Sequence, residues 1–247
     1  REGICESASV YFRMLDNGRN FSVNENAYSP GSMMKVVTLI AYLKMTEHQP
    51  QLLDKRFVFT GKMAGLPAPT ITTWEGLKPG SSYSVNQLLQ FMIVQSDNDA
   101  TAMLNANLDM GIYNQVLEAL GLPVPDPHQP DYPLTTESMS RFFRLLYNAS
   151  FLSPEMSDKA LQLLTESKFK EGIVKNTPEW VTVAHKFGEK NLDGSFQLSE
   201  GGIFFTGTLD YVLIVMTRGS DNAKLKNILA DVSKLVLDDL VANYGIN

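Results

Sequence analysis

The longest apolar stretch of the chain runs from Met33 to Met45 and is interrupted by only three polar residues. Pro30-Gly31, directly before it, breaks regular structure, and the run is longer than a typical strand. A helix that is apolar on all sides is expected to be buried. The pattern therefore predicts a buried helix that carries a lysine, Lys35, near its beginning.

Shorter stretches rich in β-branched and aromatic residues predict the strands of a sheet. They cover residues 8–16, 20–24, 181–187, 202–206 and 211–217. Asn17-Gly18, between the first two strands, favours a tight hairpin turn. Residues 57–59 are a further candidate for a short strand.

Between the early and the late strands, apolar residues recur at helical spacing. Predicted helices cover residues 84–95, 100–109, 111–120, 135–148 and 153–167, and a last helix covers residues 222–244. Ser84 and Ser153 are expected to cap two of these helices, and Thr135 or Thr136 a third. Residues 121–134, ahead of that third helix, form a Pro-rich loop.

The order of elements is two strands, many helices, three strands and one helix. Strands from both ends of the chain can join in one antiparallel sheet, with the first and last helices packed on it. We therefore expect an α/β fold of the α+β kind, in three α/β/α layers, with a five-stranded antiparallel sheet and an all-helical lobe. The sheet lobe would comprise residues 1–48 and 168–247 and the helical lobe residues 49–167, as one intertwined unit.

Composition narrows the function. A chain of 247 residues, 44% of them hydrophobic, can bury a substantial core. A net charge of -6 without a lysine or arginine block argues against nucleic acid and anionic membranes as partners.

Cys5 is the single cysteine and the three histidines lack ligand spacing, so we expect no metal and no cofactor. No apolar run approaches the roughly 20 residues of a membrane span. Because the sequence begins at Arg1 rather than Met, we expect that a leader or anchor has been removed.

Lys35 is the anomaly of the apolar helix, because a buried ammonium group is costly without polar partners. Ser32 lies three residues earlier, on the same helical face and in the first turn, where free N–H groups favour developing negative charge. A hydroxyl beside a desolvated lysine at a helix N-terminus meets the requirements of an activated nucleophile. Ser32 as a simple helix cap is the structural alternative.

Two further motifs follow in order. Ser96-Asp97-Asn98 lies in a turn between two predicted helices, and Lys186-Phe187-Gly188 lies on the first of the late strands. With Ser32-x-x-Lys35 they form a series that resembles the serine penicillin-recognising enzymes, and class A β-lactamases most of all. Residues 92–101 and 211–219 are also similar to segments of that family, so the resemblance covers essentially the whole chain.

The resemblance implies a serine hydrolase that works through an acyl-enzyme. Ser32 would attack an amide carbonyl, and Lys35, or a water that it orients, would accept the Ser32 proton. Ser96 would relay a proton toward the leaving nitrogen, while Lys186 would hold Ser96 electrostatically. These four residues are the expected catalytic set.

Substrate binding is expected from the residues that neighbour this set. The Asn98 amide would hydrogen-bond a substrate amide, and Gly188 would let substrate backbone lie close. The backbone N–H groups of Ser32 and Glu189 would form the oxyanion hole. Phe187 would shape the pocket. Lys186 also has a plain structural reading as an exposed lysine on an edge strand, and Phe187 has one as a core residue.

Two departures from the family pattern bear on the reaction. Phe187 stands where the family usually has Thr or Ser, whose hydroxyl helps to bind a substrate carboxylate, so that role would pass to Lys186 and other groups. The Pro-rich loop also lacks the glutamate with which class A β-lactamases activate the deacylating water. Its acids are Asp126 and Asp131, followed by Glu137 in the next helix. Without such a base the acyl-enzyme should persist.

The sequence thus predicts a monomeric β-lactamase-like serine hydrolase that acts on β-lactams or cell-wall-like peptide amides, with slow deacylation. A D,D-peptidase or penicillin-binding protein and an esterase are alternatives that share the same first step. A non-catalytic binding module on the same scaffold is an alternative of another class. The resemblance implies a bacterial protein that works outside the cytoplasm, where peptidoglycan and antibiotics are found.

Overall fold

A computed structural model of the chain describes residues 5–62, 71, 75–126, 128, 131–192 and 194–246, with Leu192 described by its backbone only. The strands are β1 (Cys5–Met14), β2 (Asn20–Val23), β3 (Arg56–Val58), β4 (Ser82–Ser84), β5 (Thr182–Leu192), β6 (Ser195–Phe205) and β7 (Tyr211–Gly219). The helices are α1 (Lys35–His48), α2 (Val85–Val94), α3 (Asn98–Asn105), α4 (Met110–Ala119), α5 (Thr136–Tyr147), α6 (Pro154–Thr165) and α7 (Asn222–Tyr244). Two 3-10 helices, Gly31–Met34 and Pro50–Asp54, flank α1.

The main sheet has five strands in the order β2-β1-β7-β6-β5, and each neighbouring pair is antiparallel. The predicted five-stranded antiparallel sheet, built from both ends of the chain, is thereby confirmed. β7 lies at its centre and is buried along almost its whole length. β5 lies at one edge, and none of the other described strands pairs with its outer side.

β5 and β6 are longer than their sequence indicates. They form a hairpin whose turn contains Gly194, with a positive φ of 95° that suits glycine. The prediction ended the first strand at residue 187 and began the next at residue 202. It missed the rest because buried polar side chains, among them Gln197 and Glu200, interrupt the apolar pattern on which it relied.

The helix boundaries follow the predicted caps. Ser84 accepts a hydrogen bond from the backbone of Gln87 and forms a capping box at the start of α2. Ser153 caps α6, with Pro154 in its first turn. Of the two threonines considered for α5, Thr135 accepts from the backbone nitrogen of Ser138 at 3.2 Å and is the capping residue.

The residues divide into two compact units. The first contains the described residues up to Met33, then Pro125–Leu145 and the chain from Phe169 onward. The second contains Met34–Val124 and Leu146–Lys168. The sequence assigned α1 to the sheet lobe and α5 to the helical lobe. In the structure α1 contacts the helices α2, α4 and α6 of the second unit, and most of α5 belongs to the first unit. The predicted division into lobes stays a prediction.

In the first unit, α7 packs on β6 and β7 through buried leucines that include Leu225, Leu229 and Leu237. In the second unit, α1 is buried on all sides as predicted, since every residue from Lys35 to Leu43 is buried. The Tyr42 hydroxyl of this helix donates to the carbonyl oxygen of Leu104 at 2.6 Å. None of the described helices combines the length and the apolar character that crossing a membrane requires.

Candidate active site

Ser32 lies in the 3-10 helix Gly31–Met34, which leads directly into α1. The ring of Pro30 fixes its own φ, and Gly31 adopts a positive φ of 52°, so the chain turns sharply before the helix. The turn closes with a hydrogen bond from the Met33 nitrogen to the Pro30 oxygen, 3.1 Å long. Ser32 is half-buried at this corner.

The backbone around Ser32 lies directly against the end of the third motif. A methyl group at Gly188 would be only 2.1 Å from the Pro30 oxygen and 3.0 Å from the Ser32 nitrogen. A methyl group at Gly31 would lie 2.6 Å from the Glu189 oxygen and 3.0 Å from the Glu189 nitrogen. Two glycines therefore bring together the two backbone segments whose N–H groups, of Ser32 and Glu189, the sequence assigned to an oxyanion hole.

Lys35, the first residue of α1, is 6% exposed, and the oxygens of the second motif surround its ammonium group. Its Nζ donates to the Ser96 carbonyl oxygen at 2.6 Å and to Asn98 Oδ1 at 2.7 Å. The Ser96 hydroxyl lies at 3.3 Å and the Asp97 carbonyl oxygen at 3.4 Å. The lysine is thus held by polar partners rather than solvent. The Ser96 hydroxyl is slightly beyond the usual hydrogen-bonding distance of about 3.2 Å.

The second motif has an irregular backbone followed by a helix start. Ser96 has a positive φ of 56°, which is uncommon for a residue with a side chain and costs of order 1–3 kcal/mol. Asp97 then caps α3 by accepting from the Ala100 nitrogen at 2.7 Å, and Asn98 is the first residue of that helix. The strained turn aims the Ser96 carbonyl oxygen and Asn98 Oδ1 at the same Lys35 nitrogen.

Asp97 has the structural role that its position suggests. Besides capping α3, its carboxylate packs near Gly76. Burial raises the pKa of Asp97, and the charge of Asp99 adds to this effect, while its bond from Ala100 and the charge of Lys35 act against it. An acid that is harder to ionise and already bound by backbone N–H is a cap rather than a reactive group.

The third motif is fully buried. Lys186 is 0% exposed, and its Nζ donates to the Phe187 carbonyl oxygen at 3.0 Å while lying 4.2 Å from the centre of the Phe187 ring. The Phe187 ring is 2% exposed and packs on Phe169 with ring centres 4.4 Å apart. Phe187 is therefore an apolar support for the strand and for the lysine charge.

Behind the third motif lies a buried polar pair that the sequence did not reveal. His185 Nδ1 and Glu200 Oε1 are 2.7 Å apart, and the other carboxylate oxygen accepts from the Ile173 nitrogen at 2.7 Å. Gly172 packs so tightly on this carboxylate that a methyl group there would overlap it. Glu200 is also directly opposite Phe187 in the pairing of β5 with β6. Glu200 fell outside every predicted strand.

Asp131, in the Pro-rich loop, is engaged by several donors. Lys190 Nζ donates to its Oδ1 at 2.9 Å, and the Tyr132 nitrogen does so at 3.0 Å. Burial alone would raise the pKa of Asp131, but the Lys190 ammonium and the nearby Ser29 hydroxyl outweigh it and lower the pKa. This lowered basicity does not suit the activation of a water molecule.

The other two acids considered for that role have local partners. Asp126 accepts from the backbone nitrogen of His128 at 2.9 Å. The Glu137 Oε1 atom lies 3.8 Å from Nη2 of Arg141 on the exposed side of α5. Within the described part of the chain, no group of three His, Cys, Asp or Glu side chains could hold a metal ion.

Comparison with known proteins places this geometry in context. The sequence profile of the beta-lactamase enzyme family matches residues 4–240. No curated protein sequence matches the chain.

Among solved structures, the TLA-1 extended-spectrum β-lactamase is 19% identical, with a TM-score of 0.82 over 97% of this chain and 95% of that one. A class A β-lactamase from Bacteroides cellulosilyticus is 18% identical, with a TM-score of 0.81 over 97% and 94%. A variant of PBP-A in an acyl-enzyme complex with penicillin G is 22% identical, with a TM-score of 0.79 over 97% and 91%. At these identities the likenesses show the fold.

Proposed function

Because the chain belongs to the beta-lactamase enzyme family and has the fold of a serine β-lactamase-like hydrolase, we propose that Ser32 forms an acyl-enzyme with β-lactams or cell-wall-like peptide amides. The observation that supports this most strongly is the setting of Lys35, three residues after Ser32. Its nitrogen is buried in an apolar helix and bound by oxygens of Ser96 and Asn98. A buried amine held by oxygen acceptors, three residues along the chain from a serine, suits activation of a hydroxyl.

The proton of Ser32 passes to Lys35 in this proposal. A neutral amine has two N–H bonds, and the Ser96 carbonyl oxygen and Asn98 Oδ1 accept them at 2.6 and 2.7 Å. The lone pair of the nitrogen then accepts the proton as the Ser32 oxygen attacks the carbonyl carbon. General base catalysis of this kind contributes about 10²–10⁴ to a rate.

The carbonyl oxygen of the substrate becomes negative during this attack. The backbone N–H groups of Ser32 and Glu189 stabilise it, and their segments are kept close by Gly31 and Gly188. Loss of one such donor typically costs about 10²–10³ in rate. As the tetrahedral intermediate breaks down, the Ser96 hydroxyl passes a proton to the leaving nitrogen.

Asn98 orients the acyl side chain of the substrate. Lysine can only donate, so the oxygen of the Asn98 amide must face Lys35 Nζ, and its NH₂ group is directed elsewhere. This NH₂ group would donate to the carbonyl oxygen of a substrate amide.

Recognition of a substrate carboxylate is weak in this proposal. Phe187 offers no hydroxyl and is buried against Phe169. The residue opposite it in the sheet, Glu200, carries an acid group that is already bound by His185 and the Ile173 nitrogen. Substrates whose binding does not depend on a carboxylate next to the reacting bond, among them neutral amides and esters, should therefore be accepted.

Deacylation is slow in this proposal. The Pro-rich loop offers Asp126 and Asp131, and the second of these has a lowered pKa and accepts from a lysine. A variant of PBP-A, whose fold is similar, has been captured as an acyl-enzyme with penicillin G. By analogy this chain would act as a penicillin-binding protein or a slow β-lactamase, outside the cytoplasm, where such substrates are found.

The test is intact-mass measurement over time after mixing with a penicillin, in parallel with the colour change of a chromogenic cephalosporin. A lasting adduct on Ser32 with little colour is the expected result. Fast colour without a lasting adduct would support the hydrolase function and contradict the predicted slow deacylation. Ser32→Ala should remove both signals, and Ser22→Ala, a change in the exposed strand β2, should leave them as they are.

The rival function is a binding module without catalysis. It would give no adduct on the native protein with penicillins, activated esters or fluorophosphonates, and Ser32→Ala would behave in the same way. That outcome would overturn the proposal.

A further inference from the structure

Gln197 of β6 binds the backbone of residues 29–33, the segment that carries Ser32 and that we call the Ser32 turn. Its Oε1 accepts from the Ser29 nitrogen at 2.7 Å, although the two residues are 168 positions apart in the chain. Both Ser29 and Gln197 are buried. A buried N–H group that lacks an acceptor is costly, so this bond holds the beginning of the turn on the strand.

The other end of the Ser32 turn packs on the same strand. Met33 is fully buried, and its methyl carbon would be only 3.1 Å from a methyl group placed on Gly201. Gln197 and Gly201 lie four residues apart on one face of β6, because successive side chains of a strand point to opposite faces. Ser29 and Met33 are also four residues apart, so β6 contacts the turn at both of its ends.

β6 also pairs with the strand that carries the second N–H group assigned to the oxyanion hole. Glu189 of β5 lies opposite Leu198, the residue next to Gln197. The pairing of the two strands places the Glu189 backbone, while the Gln197 side chain places the Ser32 turn. Both N–H groups of the expected oxyanion hole therefore take their positions from one strand.

We propose that Gln197 is a positioning residue for acylation. Through its bond to the Ser29 nitrogen it fixes the spacing between the two N–H groups of the oxyanion hole. The inference rests on the proposed function, because it assumes that these N–H groups stabilise an oxyanion. Donors in such a site must be held within about 0.5 Å of the productive position. Close backbone contacts limit how near the two segments can come, and the Gln197 bond resists the opposite movement.

A purely structural role for Gln197 predicts a different kinetic result. Loss of an ordinary buried hydrogen bond lowers the free energy of unfolding but leaves the folded protein as active as before. Loss of a positioning residue also lowers the maximal rate of acylation, because the substrate still binds while its developing oxyanion is less stabilised. Labelling with a fluorescent penicillin over a range of concentrations measures this maximal rate and the half-saturating concentration separately.

Gln197→Met is the test variant, because methionine has a similar length and offers no oxygen acceptor. Its maximal labelling rate should fall about 10- to 100-fold, less than the about 10²–10³ that follows complete loss of an oxyanion donor. The half-saturating concentration of penicillin should change little. Gln197→Asn, whose shorter side chain withdraws the oxygen from Ser29, should show the same slowing and replaces the methionine variant if that one does not fold.

The conservative variant Gln197→Glu keeps an oxygen that can accept from the Ser29 nitrogen. Position 197 lies opposite Lys190 of β5 and Arg218 of β7, so the sheet offers two cations beside the new carboxylate. Gln197→Glu should therefore recover most of the labelling rate that Gln197→Met loses.

The matched control is Tyr42→Phe, which also removes one buried hydrogen bond from a side chain to a backbone group. The Tyr42 hydroxyl donates to the Leu104 carbonyl oxygen, away from the Ser32 turn, and its side chain is buried. This variant should lose some stability in urea and acylate like the wild type. A folded Gln197→Met that labels like the wild type, equal slowing in Tyr42→Phe, a change confined to the half-saturating concentration, or no recovery in Gln197→Glu would each overturn the inference.

A second measurement does not depend on activity. The Ser29 amide donates the bond in question, so its hydrogen should exchange with solvent faster in Gln197→Met than in the wild type, and no faster in Tyr42→Phe. If the wild type is never acylated, the proposed function fails, while the exchange of this amide still decides whether Gln197 holds the turn. Unchanged exchange in a folded Gln197→Met would overturn the positioning role even where the wild type is acylated.

Discussion

His185 Nδ1 lies 2.7 Å from the Glu200 carboxylate, and both side chains are completely buried. The same carboxylate accepts the backbone N–H of Ile173, so one acid satisfies two donors behind the third motif. His185 directly precedes Lys186, and Glu200 pairs with Phe187 across the hairpin. The pair therefore holds the loop that contains Ile173 against the strand that carries the motif.

Glu200→Ala should destabilise the protein by about 3–5 kcal/mol, since breaking a buried pair leaves its partners unsatisfied. Urea denaturation measures the loss. Glu200→Gln can still accept from Ile173 and should cost less. The double variant His185→Leu with Glu200→Leu should recover much of the loss, because it leaves no orphaned partner of the pair except the Ile173 nitrogen. Equal losses for the Ala and Gln variants would contradict this account.

The hydrophobic pattern predicted most of this fold. The apolar run of α1, the caps Ser84 and Ser153 and the late helix α7 all express strong local preferences, and the structure confirms them. The hairpin of β5 and β6 was underestimated because its buried polar residues are satisfied by partners distant in sequence. Glu200, whose donor Ile173 is 27 residues away, is the clearest case.

The same difference between local sequence signals and contacts distant in sequence applies to the candidate site. Ser32 and Lys35 could be proposed from the sequence because a lysine in an apolar helix, with a serine three residues before it, is a local anomaly. Gln197 could not be singled out in that way, because the backbone nitrogen that it binds, that of Ser29, is distant in sequence. A polar residue in a loop has no sequence signal for what it will touch.

Phe187 leads to a prediction about substrates. An enzyme that binds a substrate carboxylate through a hydroxyl should acylate about 10–100-fold more slowly when that carboxylate is esterified. The reason is that a hydrogen bond to a charged group contributes about 1.5–3 kcal/mol. Here a penicillin and its methyl ester should acylate Ser32 at rates within about 10-fold of each other. Labelling rates followed by mass spectrometry give the comparison. A much larger loss on esterification would mean that another group binds the carboxylate.

Gly188 is predicted to tolerate no side chain. A methyl group there would lie 2.1 Å from the Pro30 oxygen, so Gly188→Ala must push the strand and the Ser32 turn apart. We expect acylation to fall by about 10²-fold or more, as for loss of an oxyanion donor. Stopped-flow labelling with a fluorescent penicillin, with circular dichroism as a check of folding, measures this. A folded Gly188→Ala that acylates normally would show that the two N–H groups are not used together.

Lys35→Met should separate the catalytic from the structural role of the lysine. The methionine fills a similar volume but leaves the Ser96 carbonyl oxygen and Asn98 Oδ1 without this donor. An unsatisfied buried acceptor costs about 1–3 kcal/mol, which urea denaturation detects. Acylation of Ser32 should fall by about 10²–10⁴, the usual contribution of a general base. The comparison variant is Lys44→Met in the same helix, which should acylate normally.

Asp97 gives a prediction about pH. Burial, the largest cause, raises the pKa of this carboxyl above its ordinary value of 3.8, so the folded protein binds the proton more tightly than the unfolded chain does. The ionised carboxylate therefore costs stability above the folded pKa, and this cost disappears below pH 3.8. Asn is as good a helix cap as Asp and carries no charge.

Asp97→Asn should accordingly be more stable than the wild type at pH 7, and the difference should shrink as the pH falls toward 3.8. Urea denaturation at a series of pH values measures it. Asp109→Asn makes the same change at the more exposed cap of α4 and reports the effect of removing a carboxylate without burial. A less stable Asp97→Asn at pH 7, or a difference that grows in acid, would show that the charge of Asp97 is needed by its neighbours, Lys35 first among them.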